Sequence, residues 1–287
     1  MGWPCKLCST VVPTKSDFLK HCRLHHGTLG HSHAFPCIHI GCPCSFKCWS
    51  SLRSHLSRYH PEVKFLNSPQ NVYSWRRQEV VAKSPAGVAE FKERWPALFE
   101  PFQINEEFRR CTVVPLESTF MSQLDRYTPK LLELFSAKGG VTGQCIKNLL
   151  MELIQDPSAS AVMKRDVTLR CLIEYVGESG QELISDYCGT AETTVHEDLE
   201  MKNMSIYICR EPNAVGIIIE GLPVLTHLGN LAKACCLLLG LTYALNLEYP
   251  SKLSKTFEVL QRLFVGLDTL RPKPTPKFMT LKNKLLA

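Results

Sequence analysis

A cluster of cysteine and histidine near the N-terminus constrains the local fold of this chain more than any other sequence feature. Two residues separate Cys5 from Cys8, twelve separate Cys8 from His21, and three separate His21 from His25. His26 offers a second choice for the fourth position, because four intervening residues are also permitted at such sites. This spacing is typical of a tetrahedral metal site built from two thiolates and two imidazoles.

A second cluster repeats the plan between residues 37 and 60. Four residues separate Cys37 from Cys42, twelve separate Cys42 from His55, and four separate His55 from His60. Cys44 is an alternative to Cys42, but choosing it breaks the spacing to the apolar residues that follow. Because chance rarely produces one spacing twice, we expect two structural zinc ions, one in each cluster.

The spacing has a physical reason. Two thiolates on a tight turn between short strands supply one edge of a tetrahedron, and two imidazoles one turn apart on a helix supply the other. Zinc joins the two halves because so short a unit cannot bury enough apolar surface to fold alone. Each cluster also holds three apolar residues at similar places relative to its ligands: Trp3, Val12 and Phe18, and then Phe35, Phe46 and Leu52.

In ligand spacing and core spacing, residues 3–60 resemble the Cys2His2 zinc-finger family, and the resemblance implies two ββα modules. The positions that read bases in this family fall on residues that include no arginine, asparagine or glutamine: Thr14, Asp17, Lys20, Cys48, Ser51 and Ser54. Basic side chains nearby can still contact phosphates without sequence specificity: Lys15, Lys20, Arg23, Lys47, Arg53 and Arg58. We therefore expect weak or nonspecific contact with DNA or RNA, and a purely protein-binding role is the alternative.

The N-terminal segment also differs in charge from the remainder. Residues 1–65 hold eight lysines or arginines and two acids, which accounts for the whole net charge of +6. The cysteines beyond them are scattered among apolar residues, as in Cys235–Cys236, which is typical of reduced, buried thiols. No basic segment followed by an apolar one opens the chain, so we expect an intracellular protein and, from its fingers, a nuclear one.

From about residue 87 the apolar residues recur at a mostly helical spacing. An alternation that begins at Met204, followed by a turn and the apolar run 215–221, predicts a β-hairpin. Residues 234–247 are too few for a membrane span, which needs about 20 apolar residues, so we expect a buried core helix there. The periodicity predicts helices over 88–95, 118–135 with a break around Pro129, 143–154, 162–176, 180–188, 228–247 and 254–267.

Three stretches of this part carry a second resemblance. They are VVPLESTFMSQLDRYTPKLLELFSAKGG (113–140), IIIEG (217–221) and LTYALNLEYPSKLSKTFEVLQ (241–261). They closely resemble a multi-copy vertebrate family whose members are often named sterile alpha motif domain-containing proteins, some of which carry N-terminal Cys2His2 fingers. The resemblance covers roughly residues 95–285 and implies no mechanism, and the sterile alpha motif itself is not recognisable in this chain.

The C-terminal part offers little for catalysis. Its histidines are His196 and His227, and no nucleophile signature surrounds Cys145 or Cys235. The glycine-rich stretch 139–143 lacks the lysine and the length of a phosphate-binding loop. We therefore expect no enzymatic activity and no catalytic residues.

Together these patterns predict two zinc-stabilised ββα modules followed by a mainly α-helical domain with a small β-hairpin. The expected limits are 1–28 and 35–62 for the modules, 63–94 for a linker and 95–287 for the helical domain. We expect the helical domain to bind a protein partner and the chain not to engage a membrane.

Overall fold

The structure is a computed structural model, and the chain divides into two compact units, residues 1–78 and 79–287. The residues that it describes are 3–4, 11–12, 35–36, 42–46, 51, 54–55, 58–59, 76–77, 79–80, 87–156, 158–187, 192–209, 214–267 and 273–286.

The first unit contains two short antiparallel strand pairs. Strand β1 (Trp3–Pro4) pairs with β2 (Val11–Val12), and Trp3 lies opposite Val12. Strand β3 (Phe35–Pro36) pairs with β4 (Ser45–Phe46), and Phe35 lies opposite Phe46. The described residues from 51 to 59 are helical. Apolar residues at similar places in the two clusters therefore occupy paired register positions in both strand pairs.

The second unit is mainly helical, as the periodicity predicts. Its π-helical segment, Leu260–Phe264, continues directly from an α-helix. The α-helices of its described part are α1 (Val88–Arg94), α2 (Pro101–Thr112), α3 (Leu116–Ser136), α4 (Gly140–Gln155), α5 (Ala161–Tyr175), α6 (Glu192–Glu200), α7 (Leu231–Ala244), α8 (Ser254–Val259) and α9 (Pro276–Leu286).

Helix α7 lies at the centre of this unit and packs against α2, α3, α5 and the sheet. The Asn230 side chain caps it by accepting a hydrogen bond from the Lys233 amide at 2.9 Å. Gly240 permits the close approach of α2 and α3, because a Cβ there would lie 2.6 Å from Ile104 and 2.7 Å from Leu116. The expected buried core helix is thus present, and no helix in the described part is long and apolar enough to cross a membrane.

A four-stranded sheet takes the place of the small hairpin expected from the sequence. Its inner pair is the predicted hairpin, and one face of that pair, with Ile206 opposite Ile217, lies in the core near α7. On the other face the Tyr207 ring lies against Gly216, which leaves no room for a side chain there. The strands run in the order β5 (Ile184–Tyr187), β6 (Met204–Cys209), β7 (Ala214–Ile219) and β8 (Leu222–Leu225), with β5–β6 parallel and the other pairs antiparallel.

Two of the helix predictions are wrong. Where a helix was predicted over 180–188, Gly180–Glu182 forms a short 3-10 turn and Ile184–Tyr187 forms β5, because pairing with β6 satisfies the backbone of this segment better than an isolated helical turn. Pro129 does not break α3. It removes one helical hydrogen bond on the exposed side, while the buried side chains Leu124 and Leu131 hold the turns on either side of it in the core.

The helical unit begins before the expected limit at residue 95. Val88 and Phe91 of α1 are buried in its core, and the Glu220 carboxylate accepts a hydrogen bond from the Val88 amide at 2.7 Å. Residues 79–94, assigned to a linker by their composition, therefore lie inside this unit. The limits of the N-terminal modules rest mostly on residues outside the described ranges and stay predictions.

Candidate functional site

Three potential metal ligands converge in the second cluster. The Sγ atoms of Cys42 and Cys44 and a ring nitrogen of His55 all lie within 4.8 Å of one another. The distance from Cys42 Sγ to His55 Nε2 is 3.3 Å. Two of the predicted ligands, Cys42 and His55, therefore come together, and Cys44 joins Cys42 rather than replacing it.

Local backbone and ring contacts position these groups. Cys42 and Cys44 flank Pro43 just before β4, and residues two apart in an extended backbone point to the same side. The His55 ring contacts two aromatic rings, with centroid distances of 4.7 Å to Phe46 and 5.2 Å to Tyr59. The strand that carries Phe46 therefore helps to orient the imidazole toward the thiols.

The chemistry of this group suits a soft divalent cation. A hydrogen bond with Cys42 raises the pKa of the Cys44 thiol above its ordinary value, and desolvation and the charge of Cys42 act in the same direction. A bound zinc ion reverses this trend because it stabilises thiolates directly. Cys42, Cys44 and His55 are the residues that would hold zinc here, since thiolate and imidazole are its preferred protein ligands.

Most of the other residues predicted for metal or nucleic-acid binding lie outside the described ranges. Arg58 lies within the described ranges and is exposed. It lines a shallow surface pocket together with Ser51, Ser54 and Tyr59. The undescribed metal ligands are Cys5, Cys8, His21, His25, Cys37 and His60, and the undescribed basic residues are Lys15, Lys20, Arg23, Lys47 and Arg53.

An apolar surface in the second unit was not singled out by the sequence patterns. Met151 (46 % exposed) and Ile154 (67 %) lie near the end of α4, and Val162 (46 %) lies in the first turn of α5. A short connection joins the two helices, which pack against each other, so all three side chains lie at one end of the pair. We call Met151, Ile154 and Val162 the apolar tip. The available signal was that Met151 falls off the helix face that carries Ile146 and Leu150, whereas Ile154 lies on that face and is exposed near the end of the helix.

The thiols considered as nucleophiles are not activated. Cys235 is buried in α7, and desolvation raises its pKa to about 12, so it stays protonated near neutral pH. Cys145 is exposed, and desolvation together with the nearby Glu174 raises its pKa as well. His227 is exposed, and the side chain of His196 lies outside the described residues.

Comparison with known families matches one segment of the chain, which begins in the last residues of the first unit and continues into the helical unit. A family model described as sterile alpha motif domain-containing protein 3, helical domain, matches residues 71–100. The described part of this segment includes α1 and the 3-10 turn Pro96–Phe99. No solved structure matches the chain significantly. Over residues 71–100, therefore, the chain is similar to the helical domain of sterile alpha motif domain-containing protein 3.

Proposed function

We propose that this protein is a non-enzymatic interaction protein whose helical unit binds a protein partner and whose N-terminal part is stabilised by zinc. The apolar tip is the observation that carries the proposal. Contiguous exposed apolar side chains with a polar rim are characteristic of protein-binding surfaces. The similarity to a helical domain of a sterile alpha motif domain-containing protein is consistent with a unit of this kind.

The surroundings of the tip support an interface rather than incidental exposure. Charged side chains precede and follow it along the chain, and Lys147, Glu152, Asp156 and Lys164 are all exposed. Fully burying one large apolar side chain contributes about 1.5–3 kcal/mol, so three of them can anchor a small interface even after the costs of ordering. This end of the helix pair therefore combines exposed apolar and exposed charged side chains, as protein-binding surfaces do.

The zinc-binding part of the proposal rests on the convergence of Cys42, Cys44 and His55 and on the repeated ligand spacing. A zinc ion there would fasten the β3–β4 pair to the helical residues that follow it, which is the structural role of closed zinc sites. Weak nucleic-acid contact in the nucleus is the second candidate. The exposed Arg58 beside Ser51 and Ser54 is the observation in its favour.

The protein-binding role is tested with Met151→Asp combined with Ile154→Asp. Ser118→Asp combined with Ser122→Asp is the matched control, because it adds the same charge at two exposed positions of α3. Partners cross-linked to the full chain in cells would be identified by mass spectrometry, purified and titrated against each variant. We expect at least a tenfold weaker affinity for the tip variant, which corresponds to about 1.4 kcal/mol, and an unchanged affinity for the control. Equal affinities would contradict the proposal.

A titration of the zinc-loaded full chain separates the two candidate functions. Random-sequence duplex DNA, single-stranded DNA and RNA would each be added at several salt concentrations. The protein-binding proposal predicts no binding at physiological salt. Binding that weakens steeply with salt, and weakens again with Arg58→Glu, would establish phosphate contact and favour the second candidate.

A further inference from the structure

Charge is distributed unevenly within the helical unit. Residues 79–249 hold 15 lysines or arginines and 23 acids, whereas residues 250–287 hold eight lysines or arginines and two acids. Helix α9 carries the lysines Lys277, Lys282 and Lys284 and has no acidic residue. The unit therefore combines an acidic majority with a short basic segment that includes α9.

One face of α9 is packed in the core. Phe278 and Leu281 are buried, and the helix contacts α3 and α8. The Thr275 hydroxyl accepts a hydrogen bond from the Phe278 amide at 3.2 Å, and the Glu258 carboxylate accepts one from the Thr275 amide at 2.9 Å. These contacts fix how the helix is rotated about its axis and determine which of its side chains point away from the core.

The outward side of α9 carries a basic row and an apolar row. Lys277 and Lys284 are exposed and lie seven residues apart in the sequence. Met279 (41 % exposed) and Leu286 (69 % exposed) have the same spacing. Seven residues make almost two helical turns, so each pair is aligned along the helix. We define the α9 face by these residues, which are Lys277, Lys284, Met279 and Leu286.

Tyr175 positions the basic row. Lys277 Nζ lies 5.7 Å from the centre of the Tyr175 ring, and Lys284 Nζ lies 3.4 Å from the Tyr175 hydroxyl oxygen. Within the described ranges, both ammonium groups contact this side chain rather than a carboxylate. Tyr175 is itself buried and contacts the Phe135 ring of α3 at a centroid distance of 5.3 Å. The two positive charges are therefore held in place without an acidic neighbour in the described part of the chain.

We propose that the α9 face is a second docking surface and that it binds an acidic amphipathic helix of a partner protein. Charge complementarity determines the sign of the partner, because two lysines that face no carboxylate attract acidic side chains and repel basic ones. The spacing determines its shape, because apolar side chains two turns apart pack against a second helix with the same repeat. This inference goes beyond the proposed function, which depends on the apolar tip.

The apolar row favours a protein helix over a nucleic acid. Lysines alone are sufficient to contact phosphates. Met279 and Leu286 are stabilised instead by burial against another apolar surface, which an amphipathic helix provides. The thioether of methionine is flexible and adapts to differently shaped partners.

The α9 face differs in charge from the apolar tip, so the two surfaces select different partners. The exposed charged side chains near the tip include both signs, whereas those of the α9 face are both lysine. Mixed charges give no preference for an acidic or a basic partner, whereas a row of one sign does.

Anisotropy titrations of the full chain with two fluorescent synthetic helices test the proposal. Both helices span about three heptads with leucine at the core positions, and the flanking positions are glutamate in one and lysine in the other. We expect the glutamate helix to bind, with an affinity that falls as salt is added, and the lysine helix not to bind.

Two double variants locate this binding on α9. Lys277→Glu combined with Lys284→Glu should weaken the affinity for the glutamate helix at least about tenfold, because it reverses the charge of the basic row. Met279→Ser combined with Leu286→Ser should weaken it at least about threefold, and it leaves the lysine contacts with Tyr175 in place.

The matched control is Lys147→Glu combined with Lys164→Glu, which makes the same charge change at two exposed positions outside α9. We expect it to leave the affinity unchanged. Equal weakening in this control, equal binding of both synthetic helices, or no binding of the glutamate helix would overturn the proposal. Duplex DNA and vesicles containing phosphatidylserine are titrated in parallel. If either binds through the α9 lysines while the glutamate helix does not, the α9 face binds phosphates and the proposal is wrong.

The same titration separates this inference from the proposed function. Met151→Asp combined with Ile154→Asp should leave the affinity for the glutamate helix unchanged, because the apolar tip lies on α4 and α5. Weakening by this variant would show that the helix binds at the tip and would overturn the role of the α9 face.

Discussion

At the scale of single residues, Val113 adopts a left-handed backbone conformation that valine rarely adopts. It ends α2 with a φ of 65°, and its amide donates a hydrogen bond to the Arg109 carbonyl at 2.8 Å. The left-handed conformation costs an L-residue about 1–2 kcal/mol and is least suited to a β-branched one. The side chain is 86 % exposed, so burial recovers little of this cost.

Replacing Val113 with asparagine should therefore stabilise the protein. Asparagine tolerates the left-handed conformation at helix ends, and we expect Val113→Asn to raise the free energy of unfolding by about 0.5–1 kcal/mol. Val141→Asn is the control, because Val141 is 91 % exposed and has ordinary helical geometry in α4. Urea denaturation measures both variants. A lower midpoint for Val113→Asn than for the wild type would show that the strain is absent.

Residue-scale features were partly visible in the sequence. Spacing was sufficient to bring Cys42 and His55 together, since ligand offsets follow from helix and turn geometry. The same spacing disfavoured Cys44, because a spacing rule fits one pair of cysteines at a time. It does not show that the thiols of Cys42 and Cys44 lie on the same side of the chain. The conformation of Val113 had no sequence signal, because no glycine or asparagine marks the end of α2.

At the scale of elements, remote glutamates satisfy helix starts that lack a capping side chain of their own. The amides of Lys255 and Thr256, in the first turn of α8, donate to the Glu178 carboxylate at 2.9 and 2.8 Å. Glu220 does the same for α1. Helix α9 differs, because the Thr275 hydroxyl accepts a hydrogen bond from the Phe278 amide at 3.2 Å while Glu258 accepts from the Thr275 amide. A carboxylate suits these places because the first amides of a helix are unpaired and carry partial positive charge.

Glu178→Gln should destabilise the helical unit by about 1 kcal/mol, because it weakens two charge-assisted hydrogen bonds at the start of α8. Glu182→Gln is a matched control from the same segment. Among the described residues, its carboxylate pairs only with the exposed Lys252 at 2.8 Å, so we expect a change of no more than about 0.5 kcal/mol. Thermal unfolding of both variants provides the comparison, and equal losses would mean that Glu178 does not act as a cap.

The sequence predicted secondary structure well where local apolar periodicity determines it. It predicted secondary structure poorly where pairing with a distant segment determines it. Helices α4 and α5 follow the apolar spacing closely, as does the buried α7. Strand β5 was missed because its partner β6 comes much later in the chain, and parallel pairing leaves no hairpin turn to recognise. The caps were equally hidden, since Glu220 and Val88 lie 132 residues apart in the sequence.

At the scale of the whole molecule, the interactions that stabilise one unit differ from those that stabilise the other. The helical unit has a continuous apolar core around α7. The N-terminal unit holds strand pairs of only two residues each in its described part, and its sequence has ten lysines or arginines against two acids. We propose that a metal stabilises strand pairs as short as these, and the cysteine and histidine spacing is the sequence feature that points to it.

Amide hydrogen exchange of the full chain, measured with zinc bound and again after chelation, tests this division most directly. We predict that removing zinc accelerates exchange in the N-terminal unit, including the amides of Phe35, Ser45 and Phe46, because the pairing of β3 with β4 depends on the metal. Exchange in α7 should stay unchanged, because its protection comes from the apolar core. Unchanged exchange in both strands, or loss of protection in α7, would contradict a zinc-stabilised N-terminal part joined to an independently folded helical unit.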